Sequence, residues 1–253
     1  MDQIEQLIKY IDESNNIVFF GGAGVSTDSG IPDFRSTDGL YNQHDIQFDE
    51  YNPEYLLSCD CIIHKPEVFY EFYRQKLDVR NIEPNITHKV LAKLEEMGKL
   101  KAVVTQNIDG LHQKAGSKTV YELHGTTQIN YCTNCGTEYD SDYIFKSDEK
   151  VPMCNCGGVI RPAVTLYGEA LPSKAVLGTL KAMNEADLLI VAGTSLRVAP
   201  AAYFIGEFKG NHMVILNKEE IGRKFIAGDG DMFIKGPMGD VFKKISEHYN
   251  MGI

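Results

Sequence analysis

The sequence predicts an α/β protein in which a parallel, Rossmann-like sheet carries a smaller domain made of a helical insertion and a zinc ribbon. Short, predominantly apolar runs at 17–20, 102–104, 186–193 and 213–217 predict buried strands, because strands covered by helices on both faces lose the alternation of half-exposed strands. The stretch 36–84 instead scatters aromatic, histidine and acidic residues between prolines, which is typical of short helical pieces in a functional insertion.

Composition limits the classes of partner. At 253 residues the chain can bury a full core, as one large domain or as a domain with a smaller insert. Its net charge of −10 argues against a nucleic-acid partner bound through phosphates, but it leaves a basic peptide possible. Since we find neither a secretory signal nor an apolar run of membrane-spanning length, we expect a cytoplasmic protein with no membrane partner.

A glycine-rich loop follows the first predicted strand. Gly21, Gly22 and Gly24 lie where the chain must turn sharply and let its backbone approach a ligand. Backbone N–H groups in such a loop, with a helix start behind them, suit the phosphates of a dinucleotide. The pattern lacks the third glycine of the usual fingerprint, so a plain turn in an α/β protein is the alternative. An ordinary α/β protein would continue with a helix at this point. Gly-Ile-Pro-Asp-Phe-Arg at 30–35 instead indicates that the chain forms a pocket wall.

These motifs resemble a known family. Gly-Ala-Gly-Val-Ser at 22–26 and Gly-Ile-Pro-Asp-Phe-Arg at 30–35 look like the opening signature of the sirtuins of bacterial type, the NAD-dependent protein lysine deacylases. Gln-Asn-Ile-Asp at 106–109 is similar to the second signature and stands where open α/β sheets place ligands. Taken alone, it could be a polar turn that caps a helix at Asp109. Leu-His-Gly at 123–125 follows in the family's order.

Four of the six cysteines predict a structural metal site. Cys132 and Cys135 are separated by two residues, Cys154 and Cys156 by one, and 18 residues lie between the pairs. Four thiolates beside turn-forming residues suit one tetrahedral Zn²⁺ ion with no open position. The second pair departs from the commoner C-x-x-C spacing. Cys59-Asp-Cys61 has no second pair nearby, so ordinary half-buried cysteines are the simpler interpretation.

The resemblance implies a set of site residues. His124 would be the general base that deprotonates a ribose hydroxyl, and Asn107 would position the reacting ribose. Without the resemblance, a structural histidine is the alternative for His124, because a lone histidine is more often structural than catalytic. The same resemblance places NAD against Gly22, Ala23, Gly24, Thr27, Phe34, Arg35, Gln106, Asn107, Ile108, Asp109, His124, Gly193, Thr194, Ser195 and Asn217.

Two further segments can be interpreted both through the resemblance and more simply. A helix N-cap explains Thr194 or Ser195 almost as well as a ribose contact. Residues 161–169 resemble the sirtuin segment that pairs with the bound peptide as a strand, and a central strand followed by a turn is the alternative.

The function implied is that of an NAD-dependent protein lysine deacetylase or deacylase, which transfers the acyl group to ADP-ribose and releases nicotinamide. NAD would be a co-substrate, one Zn²⁺ ion would be structural, and the partners would be acylated lysine side chains of proteins. Protein ADP-ribosyl transfer and removal of acidic acyl groups are the alternatives. The oligomeric state is open, with a monomer as our expectation.

Two other classes fit the sequence less well. A nicotinamide-dependent oxidoreductase would have a complete G-x-G-x-x-G and an acidic residue on the second strand, and neither is evident. A nucleic-acid-binding zinc ribbon would need a basic stripe, whereas residues 132–156 hold five acidic and two basic residues.

The acyl preference depends on one substitution. Sirtuins that favour succinyl or malonyl groups carry Tyr-x-x-Arg on a helix of the insertion, but here Lys76 follows Tyr73. Lysine lacks the planar, two-pronged fit of arginine to a carboxylate. We therefore expect acetyl or longer neutral acyl groups.

The domains expected from these observations are discontinuous in the chain. The NAD-binding domain would comprise 1–35, 85–126 and 160–253. The helical insertion would be 36–84, and the zinc ribbon 127–159.

Overall fold

The computed structural model describes residues 2–42, 45, 47–196, 200–219, 228 and 230–253. Its α-helices are α1 (Gln3–Glu13), α2 (Pro53–Leu56), α3 (Cys59–His64), α4 (Pro66–Lys76), α5 (Ile86–Glu96), α6 (Leu111–Ala115), α7 (Ser141–Phe145), α8 (Ser173–Glu185) and α9 (Met238–His248). Its strands are β1 (Ile17–Gly21), β2 (Leu100–Thr105), β3 (Val120–Glu122), β4 (Gly125–Cys132), β5 (Glu138–Asp140), β6 (Ile160–Val164), β7 (Leu188–Ala192), β8 (His212–Asn217) and β9 (Met232–Lys235).

The larger sheet has six parallel strands in the order β3-β2-β1-β7-β8-β9. All four apolar runs of the sequence are strands of this sheet, and β1 and β7 are buried over their full length. The predicted parallel sheet is therefore confirmed. From β1 the chain builds outward to β2 and β3, and from β7 it builds in the opposite direction. The crevice at the carboxyl ends of β1 and β7 is thus the switch point at which such sheets bind ligands.

Helices cover both faces of this sheet. Phe19 packs with residues of α1, α5 and α9 on one face, and Phe20 packs with residues of α8 on the other. Neighbouring side chains of a strand point to opposite faces, so a continuous apolar run supplies both cores. Helix α5 ends at Glu96, two residues before Gly98, which has a φ of +74°.

A second, antiparallel sheet of three strands has the order β5-β4-β6. The short helices α2 to α4 of the insertion share one hydrophobic core with it. The Tyr70 hydroxyl donates to the carbonyl of Ile160 on β6 at 2.8 Å. Buried Tyr73 stacks between Phe69 and Phe145. The predicted helical insertion and ribbon therefore form one packed unit.

The predicted domain boundaries at 126/127 and 159/160 stay a prediction. Strand β4 runs across the first boundary, and β6, which begins at the second, pairs with β4 in the small sheet. Strand β6 thus leads the chain from the small sheet back towards the cleft.

Within the described residues, the longest helix is α8, with 13 residues, and none reaches the length and apolarity that a bilayer crossing requires.

Candidate active site

A cleft of about 930 Å³ opens at the switch point, between the carboxyl ends of the large-sheet strands and the small sheet. Most residues that the resemblance placed around NAD line this cleft: Ala23, Gly24, Thr27, Phe34, Arg35, Gln106, Asn107, Ile108, His124, Gly193, Thr194, Ser195 and Asn217. Gly22 and Asp109 are not among the lining residues. Such a volume suits a ligand of cofactor size.

The glycines serve a contact between two loops. Gly24 N–H donates to the carbonyl of Gly193 at 2.8 Å. A Cβ on Gly24 would lie 2.8 Å from Gly193 Cα, and one on Gly22 would lie 2.7 Å from Thr194 Cβ. The glycines at 22 and 24 thus let the loop after β1 press against the loop after β7. The close packing of the two loops therefore requires glycine at both positions, in addition to any need for the backbone to approach a ligand.

The expected helix start behind the glycine loop is absent: the expectation was wrong. Two single 3₁₀ turns, Ala23–Val25 and Thr27–Ser29, follow β1 instead, and Gly30 then takes a φ of +91°. The Asn85 side chain donates to the carbonyl of Val25 at 2.8 Å. Contacts of this kind replace helical bonds and turn the chain into the cleft wall.

Asn107 belongs to a buried network behind the cleft. Its side-chain amide donates to Ser26 Oγ at 3.0 Å, and Ser26 Oγ donates to Asp109 Oδ2 at 2.6 Å. Asp109 Oδ1 accepts from the N–H of Leu111 at 2.9 Å, at the start of α6. The polar-turn interpretation of Asp109 therefore holds in part, although Gly110 is the capping residue. This network fixes the orientation of the Asn107 amide from outside the cleft.

A second carboxyl group lies behind the same network. Burial and, to a smaller extent, the nearby charge of Asp109 raise the pKa of Glu122 to about 7, against hydrogen bonds from Gln113 and Thr126 that lower it. Glu122 Oε1 is buried without a hydrogen-bond partner among the described residues. Burial also raises the pKa of Asp109, which the hydrogen bonds from Ser26 and Leu111 oppose.

We expect Glu122→Gln to become more stable than the unchanged protein as the pH rises. The folded pKa of Glu122 is about 7, above its ordinary value of 4.5, so the folded state holds this proton more tightly. That stabilisation is complete below pH 4.5 and is lost as the pH rises through 7. Because glutamine stays neutral, the unfolding free energy of the variant relative to wild type should rise by about 2–3 kcal/mol between pH 5 and pH 8. Urea unfolding at both pH values measures this difference. The exposed Glu247→Gln is the control, and a difference independent of pH would contradict the expectation.

His124 is held as a neutral base. Its Nδ1 lies 2.9 Å from the carbonyl oxygen of Gln106. Because a carbonyl only accepts, Nδ1 carries the hydrogen and Nε2 keeps its lone pair. Burial lowers the pKa of His124, and the charge of Arg35 lowers it further, against the opposing effect of the bond to Gln106. The imidazole is therefore unprotonated at neutral pH.

Amide and hydroxyl groups join three strand ends on the other side of the cleft. Thr194 Oγ1 donates to Gln106 Oε1 at 2.8 Å, and the Asn217 amide donates to the Thr194 carbonyl at 2.9 Å. Gln106 Nε2 is buried and has no hydrogen-bond partner within the described part of the chain. An orphaned buried donor is costly, so it marks a position for a ligand acceptor. The residues present therefore fit a polar dinucleotide.

The outer wall of the cleft was only partly predicted. Arg35 Nη2 donates to the hydroxyl of Tyr167 at 3.0 Å, and that hydroxyl lies 3.2 Å from the hydroxyl of Tyr41. Phe34 packs edge-on against Tyr41, with ring centroids 5.3 Å apart. Tyr41 was not predicted as a cleft residue, because a lone tyrosine in an aromatic-rich insertion does not stand out in the sequence.

Arg161 and Glu169 hold the chain that leaves β6. Arg161 Nη2 donates to Glu169 Oε2 at 2.9 Å, and the same oxygen accepts from the N–H of Leu166 at 2.9 Å. This fixes the turn that brings Tyr167 to the cleft.

The four cysteines of the ribbon come together as predicted. Their Sγ atoms lie within 4.8 Å of one another, with 3.4 Å between Cys132 and Cys156 and 3.7 Å between Cys135 and Cys154. A tetrahedral ion with Zn–S bonds of about 2.3 Å places its sulfurs about 3.8 Å apart. The Tyr139 hydroxyl also donates to Cys154 Sγ at 3.1 Å. The cluster therefore fits one closed, structural Zn²⁺ ion.

The remaining cysteines and the acyl-group residues lie elsewhere. Cys59 and Cys61 are free and take no part in the cluster. Buried Tyr73 packs among aromatic rings, and Lys76 forms an ion pair with Asp45 at 3.0 Å. Neither Tyr73 nor Lys76 lines the cleft.

Known proteins resemble this chain over nearly its whole length. A model of the Sir2 family matches residues 22–200. A protein of Clostridium acetobutylicum named NAD-dependent protein deacetylase is 49% identical over 246 residues, 97% of this chain and 98% of the relative. A solved structure of Sir2 with a p53 peptide and NAD⁺ aligns with a TM-score of 0.85 at 36% identity, covering 99% of this chain and all of the other.

A further solved structure is of Sir2 with a deacetylated p53 peptide and 3′-O-acetyl ADP ribose. It aligns with a TM-score of 0.86 at 35% identity, over 97% of this chain and 98% of the other. The range 22–200 that the family model matches spans the loop after β1, Asn107, His124 and the four clustered cysteines. The chain belongs to the Sir2 family.

Proposed function

We propose that this protein is an NAD-dependent protein lysine deacetylase, which transfers the acetyl group of a lysine side chain to ADP-ribose. The observation that carries the proposal is the neutral imidazole of His124, fixed by the carbonyl of Gln106 beside a cleft of cofactor size. The relatives are named for this activity, and the related Sir2 structures hold NAD⁺ with a peptide in one case and a deacetylated peptide with acetyl ADP ribose in the other.

His124 is the general base of this proposal. Its Nε2 lone pair accepts a proton from a ribose hydroxyl, which then becomes the nucleophile for the acyl group. The bond from Nδ1 to Gln106 sets the ring orientation and stabilises the imidazolium that forms. Arg35 lowers the affinity of the ring for a proton before reaction, so the base is ready at neutral pH.

The remaining cleft residues bind and orient the substrates. NAD supplies the ADP-ribosyl group that accepts the acyl group, with nicotinamide as the leaving group. The hydrogen bonds among Asn107, Ser26 and Asp109 orient the Asn107 amide towards the reacting ribose. Gln106 Nε2, which has no partner among the described residues, is available to donate a hydrogen bond to the ligand. Holding a ligand through many remote contacts lowers the entropic cost of reaching the transition state.

The resemblance implies roles for the remaining predicted contacts. Phe34 shields the reacting face and Ile108 lines the amide pocket. Ala23, Thr27 and Arg35 hold the phosphates and ribose. Gly193, Thr194 and Ser195 contact ribose or phosphate, and Asn217 contacts the adenosine ribose.

The acylated lysine reaches this site from a peptide beside residues 164–169. The N–H of Tyr167 already donates to the Leu57 carbonyl, and its own carbonyl accepts from the N–H of Cys59. The backbone groups of Tyr167 are therefore already paired, so an added peptide strand would pair with neighbouring residues of this segment. Backbone pairing gives affinity with little reading of side chains.

Mass spectrometry of an acetyl-lysine peptide, incubated with the protein with and without NAD, tests the function. We expect loss of the acetyl group only with NAD, and His124→Ala as a control should abolish most of it. Retention of the acetyl group with ADP-ribose attached to protein would instead identify a transferase that modifies proteins with ADP-ribose.

Neutral acyl groups are the proposed substrates. The nearest counterpart of the Tyr-x-x-Arg pair, Tyr73 with Lys76, lies outside the cleft, so a succinyl carboxylate would not meet it. We expect kcat/KM on an acetyl-lysine peptide to exceed that on the matched succinyl-lysine peptide by about tenfold or more. Lys76→Gln should change neither value. A higher kcat/KM for the succinyl peptide would contradict this substrate class.

We also propose that the protein acts as a monomer in the cytoplasm. Six free cysteines, four of them gathered as a thiolate metal site, are typical of a reducing compartment.

A further inference from the structure

The hydroxyl of Tyr167 joins the two outer walls of the cleft. It accepts from Arg35 Nη2 at 3.0 Å and lies 3.2 Å from the hydroxyl of Tyr41. Arg35 and Tyr41 belong to the wall that follows β1, while Tyr167 belongs to the chain that leaves β6, 132 residues beyond Arg35. One phenol oxygen thus connects the wall assigned to NAD with the wall assigned to the peptide.

Tyr167 is well fixed for this role. Its backbone N–H donates to the carbonyl of Leu57 at 2.9 Å, and its carbonyl accepts from the N–H of Cys59 at 3.0 Å. Arg161 and Glu169 hold the turn around it. The hydroxyl therefore stands at a defined position, to which the flexible guanidinium of Arg35 is brought.

The guanidinium of Arg35 has a second partner that opposes this arrangement. Its Nη2 also lies 3.3 Å from Glu54 Oε1, near the start of α2. Glu54 does not line the cleft, and the two side chains are 35% and 52% exposed. Among the described ion pairs, Glu54 is the carboxylate that neutralises Arg35. A dinucleotide phosphate would compete with it for the same cation.

We propose that Tyr167 is a positioning residue that aims Arg35 at the phosphates of NAD, and that Glu54 competes with NAD for the guanidinium. This inference rests on the proposed function. Tyr167 acts through Arg35 and touches no reacting atom in this assignment. Its effect should therefore fall on NAD affinity and not on the chemical step, because binding that is equal in ground and transition states changes KM alone.

The two partners of Arg35 predict opposite results. Tyr167→Phe keeps the ring and removes only the hydroxyl, so we expect the Kd for NAD to rise about five- to tenfold through the loss of its hydrogen bonds. Glu54→Gln removes the competing charge, so we expect that Kd to fall about two- to fivefold, as for a partly exposed ion pair. Calorimetric titration with NAD in the absence of acylated peptide measures both, since no turnover then occurs.

Steady-state kinetics separate positioning from a merely structural role. In Tyr167→Phe we expect KM for NAD to rise as Kd does, with kcat within about twofold of wild type. Tyr249→Phe is the matched control, because it removes a tyrosine hydroxyl that bonds Asp12 on the other side of the molecule. It should change neither Kd nor kcat.

The outcomes distinguish this inference from the proposed function. An unchanged Kd in Tyr167→Phe, or a weaker affinity in Glu54→Gln, would overturn the inference while leaving the deacetylase intact. If Tyr167→Phe fails to fold, the sign of the Glu54→Gln effect still decides. A wild-type protein that binds no NAD at all would overturn the proposed function itself.

Discussion

Replacing His124 with alanine is expected to lower kcat by a factor of about several hundred or more, with the fold and the zinc content unchanged. The imidazole is a neutral base, which a hydrogen bond from Nδ1 to a carbonyl fixes at the cleft. Alanine removes the proton acceptor without disturbing the hydrophobic cores, since His124 lies on the cleft wall. Single-turnover deacetylation of an acetyl-lysine peptide measures the effect.

The matched control for this variant is His64→Ala. His64 is an exposed histidine whose Nε2 lies 3.4 Å from Asp60 on the same helix, far from any proposed chemistry. Its removal should leave kcat unchanged. Turnover of His124→Ala close to that of wild type would remove His124 from the role of general base.

The pH profile gives an independent readout of the same residue. Because burial and Arg35 lower the pKa of His124, kcat/KM should rise with pH through a value below 6.5 and be level at neutral pH. The active form is the unprotonated one, so activity is lost as the pH falls. This acid limb should be absent from the residual activity of His124→Ala.

Loss of the zinc ion is expected to unfold the ribbon and to destabilise the whole small sheet. The ribbon residues Cys132, Ile144 and Cys154 belong to the same hydrophobic core as α4. Unfolding of the ribbon would therefore expose the apolar side chains of α4 that pack against it. Structural zinc contributes about 10–16 kcal/mol to folding in zinc-finger peptides, which exceeds the margin of most domains. We expect Cys135→Ser to retain no zinc and to lower Tm by about 10 °C or more.

Metal content and thermal unfolding check this expectation together. Cys59→Ser is the matched control, because Cys59 lies outside the four-sulfur cluster, and it should keep one equivalent of zinc. A Cys135→Ser protein with full zinc content, or a metal-free protein with an unchanged Tm, would contradict the structural role of the ion.

The strands of the large sheet could be predicted from the sequence because burial on both faces requires continuous apolar residues. Residues of β1 alternate between two cores, with Phe19 on one face and Phe20 on the other, so the whole strand must be apolar. The cysteine quartet was predictable because ligand spacing alone carries the chemistry. The residues of the cleft were identified mainly through the family resemblance, since spacing alone left Asn107 and His124 open to simpler interpretations.

Other features depend on contacts that spacing along the chain does not reveal. Gly24 fits against Gly193, 169 residues later, and only the folded loops show that a Cβ would clash there. The 3₁₀ turns after β1 are held by distant groups such as Asn85, so the local sequence could not exclude a helix. The contact of Arg35 with Tyr167 is of the same long-range kind.

The products of a single turnover test the central claim most directly. Protein in excess over an acetyl-lysine peptide is mixed with NAD, and the quenched mixture is resolved by mass spectrometry. The proposed function predicts deacetylated peptide, nicotinamide and acetyl-ADP-ribose in equal amounts, with formation of the deacetylated peptide and of acetyl-ADP-ribose strongly slowed in His124→Ala. Free acetate formed without consumption of NAD would contradict acyl transfer to ADP-ribose, and with it the function assigned to this cleft.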